Sequence, residues 1–266
     1  MRLFLVALLL LWSGGASAVT LKLEGNATQG GLMIGHTEPG ATVSLDGKTL
    51  RPTPQGDFVF GFGRDAPAKA VLVVDKDGAR ETHEIEVTPR QWQIQEVKGL
   101  PPETVSPPPE LEARIIRENA LLTAARDTDS NDTDFLKPFA WPAEGPVSGV
   151  FGSQRVLNGT PKAPHAGLDI AAPEGAPVHA AAGGVVTLAE HDLFYTGGTV
   201  MIDHGHGLST IYVHMSKVLV KVGDHVRQGA PIGAVGKTGR ASGPHLHFGA
   251  SWFSVKLDPA LLLPAR

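Results

Sequence analysis

Five side chains that can bind a metal or move protons fall in three short segments of the carboxyl-terminal half. His165 and Asp169 are four residues apart in HAGLD, His245 and His247 are two apart in GPHLHFG, and His214 lies in TIYVHM. Hydrolytic zinc sites use three nitrogen or oxygen ligands and leave a fourth position to water. A single histidine of this kind is more often structural. Three glycine-flanked clusters within residues 165–247 favour one joint site.

Strand geometry makes a prediction for each histidine segment. Successive side chains on a strand point to opposite faces, so His245 and His247 should share one face while the apolar residues after them enter the core. One imidazole can then bind the metal while the other acts on a substrate. The same alternation predicts that Tyr212 and His214 share a face of their strand.

The motifs and their order resemble the LytM or lysostaphin-type zinc metallopeptidases of peptidase family M23. The resemblance rests on VSGVFGSQR, HAGLDIAAPEGAPVHAAAGGVV, MIDHGHGLSTIYVHM and VGDHVRQGAPIGAVGKTGRASGPHLHFG, and covers about residues 139–264. It implies a LytM-type β domain of barrel-sandwich-hybrid-like shape. It also implies a glycyl or D,D-endopeptidase that cuts the peptide bridges of bacterial peptidoglycan.

The resemblance also implies a role for each of the five residues. It makes His165, Asp169 and His247 the ligands of one Zn²⁺ ion per catalytic domain, and His214 and His245 the two catalytic histidines. Zinc lowers the pKa of a bound water to about 7 and polarises the carbonyl under attack. The chain has no HExxH motif, whose glutamate would act as general base, so proton transfer must use another group. Histidine titrates in the right range, and which of the two activates water is left open.

The predicted function is therefore a zinc-dependent endopeptidase that hydrolyses peptide cross-links of peptidoglycan, with D,D specificity. One alternative is a catalytically inactive LytM-like module that binds the cell wall or activates an amidase. Such a module would lack one of the five residues, and all are present. A second alternative is a lipoyl-type carrier domain, suggested by the sequence GAP that is repeated within residues 174–186 and 228–236. The hairpin GAPVHAAAGG lacks the lysine that a carrier needs.

Other polar residues near the motifs have competing explanations. Arg155 and Arg240 could each meet a carboxylate of the peptide stem, or be solvated loop arginines. His204 and His206, in DHGHG, are expected to be structural or solvent-exposed because the flanking glycines indicate a tight turn. The acidic run at 127–134 predicts a solvated loop. A calcium site there would lack the glycine and distal glutamate of a calcium loop.

The amino terminus has the features of a secretory signal peptide at residues 1–18. A basic residue precedes a ten-residue apolar run, and Ala16, Ser17 and Ala18 form a cleavage motif. The apolar run is too short for a stable transmembrane anchor. We expect an exported, periplasmic protein whose mature form has no transmembrane segment. The absence of cysteine excludes disulfides and a lipid-modified cysteine.

The predicted fold class is all-β, in three parts after the signal peptide. Residues 19–100 have short β-type runs between turn signals, typical of a β-sandwich, with an immunoglobulin-like segment in PGATVSLDGK. Residues 101–136 form a proline-rich and helical connector, with a helix from Glu110 to Arg126. Its apolar face predicts packing near the catalytic cleft. Residues 137–266 form the peptidase domain.

Charge distribution limits the partners. Residues 19–136 contain 12 basic and 19 acidic residues, whereas residues 137–266 contain 10 basic and 8 acidic residues. Neither part has the clustered basic face of a nucleic-acid-binding protein. A weakly basic catalytic part suits an anionic polymer. The expected partners are peptidoglycan peptide stems and cross-links, with divisome or cell-wall regulators as further candidates.

Overall fold

The computed structural model describes residues 19–100 and 102–266, so the predicted signal peptide lies outside the described residues. The strands are β1 (Leu21–Gly25), β2 (Leu32–Thr37), β3 (Thr42–Leu45), β4 (Lys48–Leu50), β5 (Asp57–Gly61), β6 (Lys69–Lys76), β7 (Ala79–Glu86), β8 (Ile94–Val97), β9 (Val147–Gly149), β10 (Gln154–Leu157), β11 (Thr160–Pro161), β12 (Leu168–Ala171), β13 (Pro177–His179), β14 (Gly184–Leu193), β15 (Gly197–Asp203), β16 (Leu208–Met215), β17 (Lys217–Val218), β18 (His225–Val226), β19 (Pro231–Ala234), β20 (His245–Trp252) and β21 (Val255–Leu257). The α-helices are α1 (Pro102–Val105) and α2 (Glu112–Arg126). The fold is all-β, as predicted. In the described ranges, no helix has the length and apolar character needed to span a bilayer.

The amino-terminal strands form two small antiparallel sheets. One has the order β1-β2-β5 and the other β4-β3-β6-β7. Strand β6 shows why they pack: Ala70, Leu72 and Val74 alternate with more exposed residues and are buried. Phe58 and Phe60 of β5 belong to the same core cluster. The immunoglobulin-like character of this amino-terminal part stays a prediction.

The carboxyl-terminal half, predicted to be catalytic and called the catalytic half below, is built on one eight-stranded antiparallel sheet. Its order is β18-β14-β15-β16-β20-β12-β9, with β21 paired to the end of β20. A second sheet, β13-β19-β17, contributes Val178 and Ile232 to a core shared with Ile202 and Phe248 of the large sheet. The opposite face of the large sheet contains the histidines and the aspartate of the candidate site described below.

Tyr212 places a hydroxyl group in the middle of this core. Its side chain is fully buried, and the hydroxyl oxygen accepts hydrogen bonds from the backbone N–H of Ala181 at 2.8 Å and from Thr210 Oγ1 at 3.1 Å. Burial raises the pKa of Tyr212 to about 12. The phenol therefore stays neutral and serves as a structural acceptor between the two sheets.

Tyr212→Phe is expected to lower the free energy of unfolding by about 1–3 kcal/mol, because the buried Ala181 N–H loses its acceptor. Urea unfolding followed by circular dichroism measures the change. Tyr195→Phe is the matched control, since Tyr195 is only half-buried and its hydroxyl has no hydrogen-bond partner in the described ranges. Equal stability of the two variants would contradict the structural role of the Tyr212 hydroxyl.

The two halves share polar contacts as well as a core. Arg90 Nη1 lies 2.8 Å from Asp258 Oδ2, whose side chain is buried. The acidic run at 127–134 forms a loop that meets the amino-terminal half, where the Arg51 guanidinium contacts Asp129. The run is therefore a loop, as predicted, but one that docks the two halves together.

Strand β8 differs from the predicted domain boundary. It pairs in parallel with β10 of the catalytic half, although the sequence prediction included it in the amino-terminal sandwich. The segment alternates half-buried and exposed residues and has few apolar side chains, so its sequence gave no strong strand signal. The chain between the sandwich and the helices thus adds a strand to the catalytic half.

The connector helix α2 packs on the catalytic half, as its apolar face predicted. Ala125 forms a small buried cluster with Leu188 and Met201, strands β14 and β15 providing these partners. Glu118 Oε2 also accepts a hydrogen bond from the backbone N–H of Phe194 at 2.6 Å. The helix begins two residues later than predicted because a 3-10 turn over Pro109–Leu111 precedes it.

Candidate active site

Three of the five predicted residues converge at the junction of β12 and β20. Asp169 lies opposite His247 in the strand register, and His165 precedes β12. His165 Nε2 and His247 Nδ1 are 2.8 Å apart, and each lies 2.9 Å from Asp169 Oδ1. In the described ranges, this is the one group of three such side chains whose ligand atoms converge.

The donor set fits a zinc ion. Bonds of about 2.0–2.2 Å to tetrahedral ligands separate those ligands by about 3.3 Å. The nearly equilateral triangle of 2.8–2.9 Å formed by the three atoms therefore has to open only by about half an ångström. Two imidazoles and one carboxylate are also a ligand combination that zinc uses in hydrolytic sites.

The outer atoms of two of these residues are held by further partners. His165 Nδ1–H donates to the carbonyl oxygen of Val150 at 3.0 Å, which leaves Nε2 for the triad. Arg155 Nη2 donates to Asp169 Oδ2 at 2.6 Å. Such partners fix ring orientation and carboxylate position in metal sites. Arg155 thus contacts a side chain of the site, where the sequence left a substrate carboxylate and solvent as alternatives.

The protonation states also suit a metal. Burial lowers the pKa of His247 to about 4, so its imidazole is neutral at neutral pH. Burial alone would raise the pKa of Asp169, but the hydrogen bonds from His165 and His247 outweigh it and hold that pKa well below its usual range. Neutral imidazole and ionised carboxylate are the forms that bind metals.

Two glycines leave the space that the triad occupies. A Cβ atom at Gly167 would lie 2.4 Å from the Phe248 carbonyl oxygen and 2.7 Å from His247 Nε2. A Cβ atom at Gly149 would lie 2.3 Å from Asp169 Oδ2. Sequence reasoning missed this role, although both glycines stand within the motifs HAGLD and VSGVF.

The other two histidines stand beside the triad. The ring centroids of His214 and His245 are 4.8 Å apart, and those of His214 and His247 are 6.2 Å apart. His214 Nδ1–H donates to the Thr238 carbonyl at 2.8 Å, and His245 Nδ1–H donates to the Gly243 carbonyl at 2.9 Å. These bonds leave Nε2 of each ring for a ligand in the cleft. Burial, followed by the neighbouring histidines, lowers the pKa of His214 to about 3.

The strand prediction is confirmed for one segment and wrong for the other. His245 and His247 line the same cleft. Tyr212, however, points into the core and does not share a face with His214. Ile211 and Val213 line the cleft. In a regular strand, the side chain at position 214 would therefore be buried on the opposite face, together with that of Tyr212. His214 has a φ of +64°, a left-handed conformation that breaks the alternation and turns its ring to the cleft.

His204 and His206 are structural, as predicted. His204 is fully buried, with Nδ1 2.6 Å from the Gly183 carbonyl oxygen and Nε2 2.8 Å from Thr210 Oγ1. His206 Nδ1–H donates to the Arg51 carbonyl at 2.7 Å and so joins the two halves. Neither ring lines the cleft.

The five residues lie in a cleft of about 810 Å³, and part of its wall comes from residues before 137. Gln95 and Val97 of β8 line one side, and Leu122 of α2 lines another. Arg240 closes a third side, where its guanidinium stacks 4.5 Å from the ring centroid of Tyr195. The residues before 137 therefore shape the site although they contribute none of the five side chains.

Comparisons with known proteins agree on the catalytic half. Residues 163–259 match the profile of peptidase family M23. Cell division protein DipM of Caulobacter vibrioides is 36% identical over 166 residues, which are 60% of this chain and 26% of that protein. Peptidoglycan DD-endopeptidase ShyA of Vibrio cholerae is 48% identical over 86 residues, 32% of this chain and 20% of that protein. The chain thus spans only about a fifth to a quarter of the length of these relatives.

A solved structure resembles nearly the whole chain. A peptidase M23 from Pseudomonas aeruginosa is 30% identical with a TM-score of 0.68, and the match covers 89% of this chain and 94% of that one. The similarity therefore includes strands on both sides of the connector.

Proposed function

Because the chain belongs to peptidase family M23, we propose that it is a zinc-dependent endopeptidase that hydrolyses the peptide cross-links of bacterial peptidoglycan. The observation that carries the proposal is the convergence of His165, Asp169 and His247 beside two further histidines in one cleft. The relative ShyA is described as a peptidoglycan DD-endopeptidase, which supports a D,D bond as the substrate.

Each residue of the site has a role in this proposal. His165, Asp169 and His247 would hold one Zn²⁺, which when bound lowers the pKa of a water to about 7 and polarises the scissile carbonyl. His214 and His245 offer Nε2 atoms to the reacting groups. One accepts the proton of the attacking water at its free Nε2, and the other, when protonated at both ring nitrogens, donates a hydrogen bond to the oxygen on which negative charge develops. The Thr238 and Gly243 carbonyls hold these two rings in place.

The surroundings of the protein are part of the proposal. Its substrate lies outside the cytoplasmic membrane, so we expect export to the periplasm, in agreement with the signal-peptide motif at residues 1–18. Divisome or cell-wall regulators are candidate partners, because the relative DipM is described as a cell division protein.

The alternative function is that of an inactive module that binds the cell wall or activates an amidase. The presence and convergence of all five side chains favours the enzyme.

Digestion of purified sacculi tests the reaction. We expect sacculi treated with the mature protein and then digested with a muramidase to yield fewer cross-linked muropeptides, with mass analysis showing one added water for each cross-link cut and intact glycan–peptide linkages. Release of free peptides from the glycan in the presence of an amidase, with no cross-link cleavage by the protein itself, would favour the inactive module instead.

Arg155→Ala is expected to lower zinc affinity by about 10- to 100-fold, because Asp169 Oδ2 loses the partner that fixes its position. Competition with a chromogenic chelator measures the affinity. Arg240→Ala is the control, since Arg240 lines the same cleft but makes no contact with Asp169. Wild-type affinity in Arg155→Ala would show that this arginine does not support the metal ligand.

A further inference from the structure

The cleft contains two cationic side chains that no acidic side chain neutralises. Arg126, the last residue of α2, and Lys256 of β21 both line it. In the described ranges, neither side chain forms an ion pair, and Arg126 Nε is buried without a hydrogen-bond acceptor. Asp127 is exposed and acts on both cations only at longer range.

Burying cations without a counter-ion is unfavourable. Burial lowers the pKa of Arg126. Burial, and after it the charge of Arg126, lowers the pKa of Lys256 to about 7. An anion bound between the two groups would offset both effects, because an opposite charge nearby favours the protonated form.

The position of the pair relates it to the metal triad. Ser251 lies four residues beyond His247 on the same face of β20, a distance of about 13 Å along the strand. Lys256 pairs with Ser251 on the neighbouring strand. Between His247 and Ser251, this face of β20 has no side chain at position 249, because that residue is glycine. A Cβ atom there would lie 2.8 Å from Ile211 Cγ2.

We propose that Arg126 and Lys256 form a carboxylate-binding subsite that holds one carboxylate of the peptide substrate while a bond about four residues away lies at the metal triad. The proposal rests on the peptidase function. An extended peptide covers about 3.3–3.6 Å per residue, so about four residues bridge the distance. The planar guanidinium matches a carboxylate in a bidentate manner, and the ammonium adds a point charge.

The subsite also gives the connector a part in substrate recognition. Arg126 comes from α2, whereas Lys256 comes from the catalytic half, so the subsite exists only when the helix is docked. Ala125 in the neighbouring position is buried against the large sheet, which fixes the end of the helix. Substrate binding and helix docking should therefore support each other.

The test compares a purified cross-linked muropeptide dimer with the same dimer after its carboxylates are converted to primary amides. For the wild type, kcat/KM on the amidated dimer should be at least about 10-fold lower, because a charge-assisted contact is lost. The double variant Arg126→Gln/Lys256→Met should be slower on the free dimer and lose this discrimination. The charge-conserving Arg126→Lys/Lys256→Arg variant should keep it.

A control neutralises two exposed charges elsewhere, Arg117→Gln on α2 and Lys217→Met, and should discriminate as the wild type does. Dissociation constants of both dimers are also measured in the His245→Ala background, where cleavage does not interfere. If Arg126→Gln/Lys256→Met still prefers the free dimer by the wild-type factor, the subsite is wrong. If no variant cuts either dimer but binding shows the predicted pattern, the subsite stands and the proposed reaction fails.

Discussion

Asp169→Ala is expected to lose zinc and peptidoglycan hydrolysis together, with zinc affinity falling by more than about 100-fold. The substitution removes the one anionic atom that lies 2.9 Å from both His165 Nε2 and His247 Nδ1. It also leaves the Arg155 cation beside the site without its carboxylate partner, so a metal ion would be repelled. Chelator competition measures the affinity, and the loss of cross-linked muropeptides from treated sacculi, counted after muramidase digestion, measures the activity.

The control for this substitution is Glu144→Ala, because Glu144 is a fully exposed acidic residue of the same half. It should keep wild-type zinc affinity and activity. If Asp169→Ala also keeps one tightly bound zinc, then Asp169 is not a ligand and the site must be built from the histidines alone.

His245→Ala is expected to keep close to one zinc per chain while its hydrolysis rate falls by about 100-fold or more. His245 Nε2 lies 3.9 Å from Asp169 Oδ1, outside the 2.9 Å triangle of the triad, so its loss removes a group that acts on the substrate. His214→Ala should behave in the same way. His247→Ala, two residues along β20, should lose both the metal and the activity.

Metal analysis of each variant after dialysis, paired with the rate on sacculi, separates these roles. His191→Ala is the control, since His191 is exposed on β14 and lies away from the cleft. A metal-free His245→Ala protein with a metal-bound His247→Ala protein would reverse the two assignments. Loss of metal from both would mean that the two histidines of β20 ligate together.

The spacing of the motifs indicated five candidate side chains, and the resemblance to the M23 peptidases assigned three of them to the triad. The spacing in HAGLD and the two-residue period in HLH place the side chains on short strands, and pairing of β12 with β20 brings Asp169 opposite His247. The same reasoning failed at His214, because a single left-handed residue cancels the alternation. A positive φ at a histidine gives no signal in the pattern of apolar and polar residues.

Contacts between residues far apart in the chain could not be predicted from the sequence either. The apolar face of α2 predicted that it packs near the cleft, but not which residues it brings there. Arg126 lines the same cleft as Lys256 only because the helix docks on the large sheet. Likewise, β8 has a weak strand signal and pairs with β10 about sixty residues further along the chain. The contact of Arg155 with Asp169 depends on that same folded arrangement.

The most direct test of the whole account is the metal dependence of cross-link cleavage by the mature wild-type protein. Zinc content is measured beside the fraction of cross-links cut in purified sacculi, counted after muramidase digestion, before chelation, after chelation and after stepwise return of zinc. We expect cleavage to disappear in the metal-free protein and to recover in proportion to added zinc, reaching a plateau at one equivalent per chain. Cleavage that persists without metal, or its absence in a protein that holds one zinc, would contradict the assignment of a zinc endopeptidase.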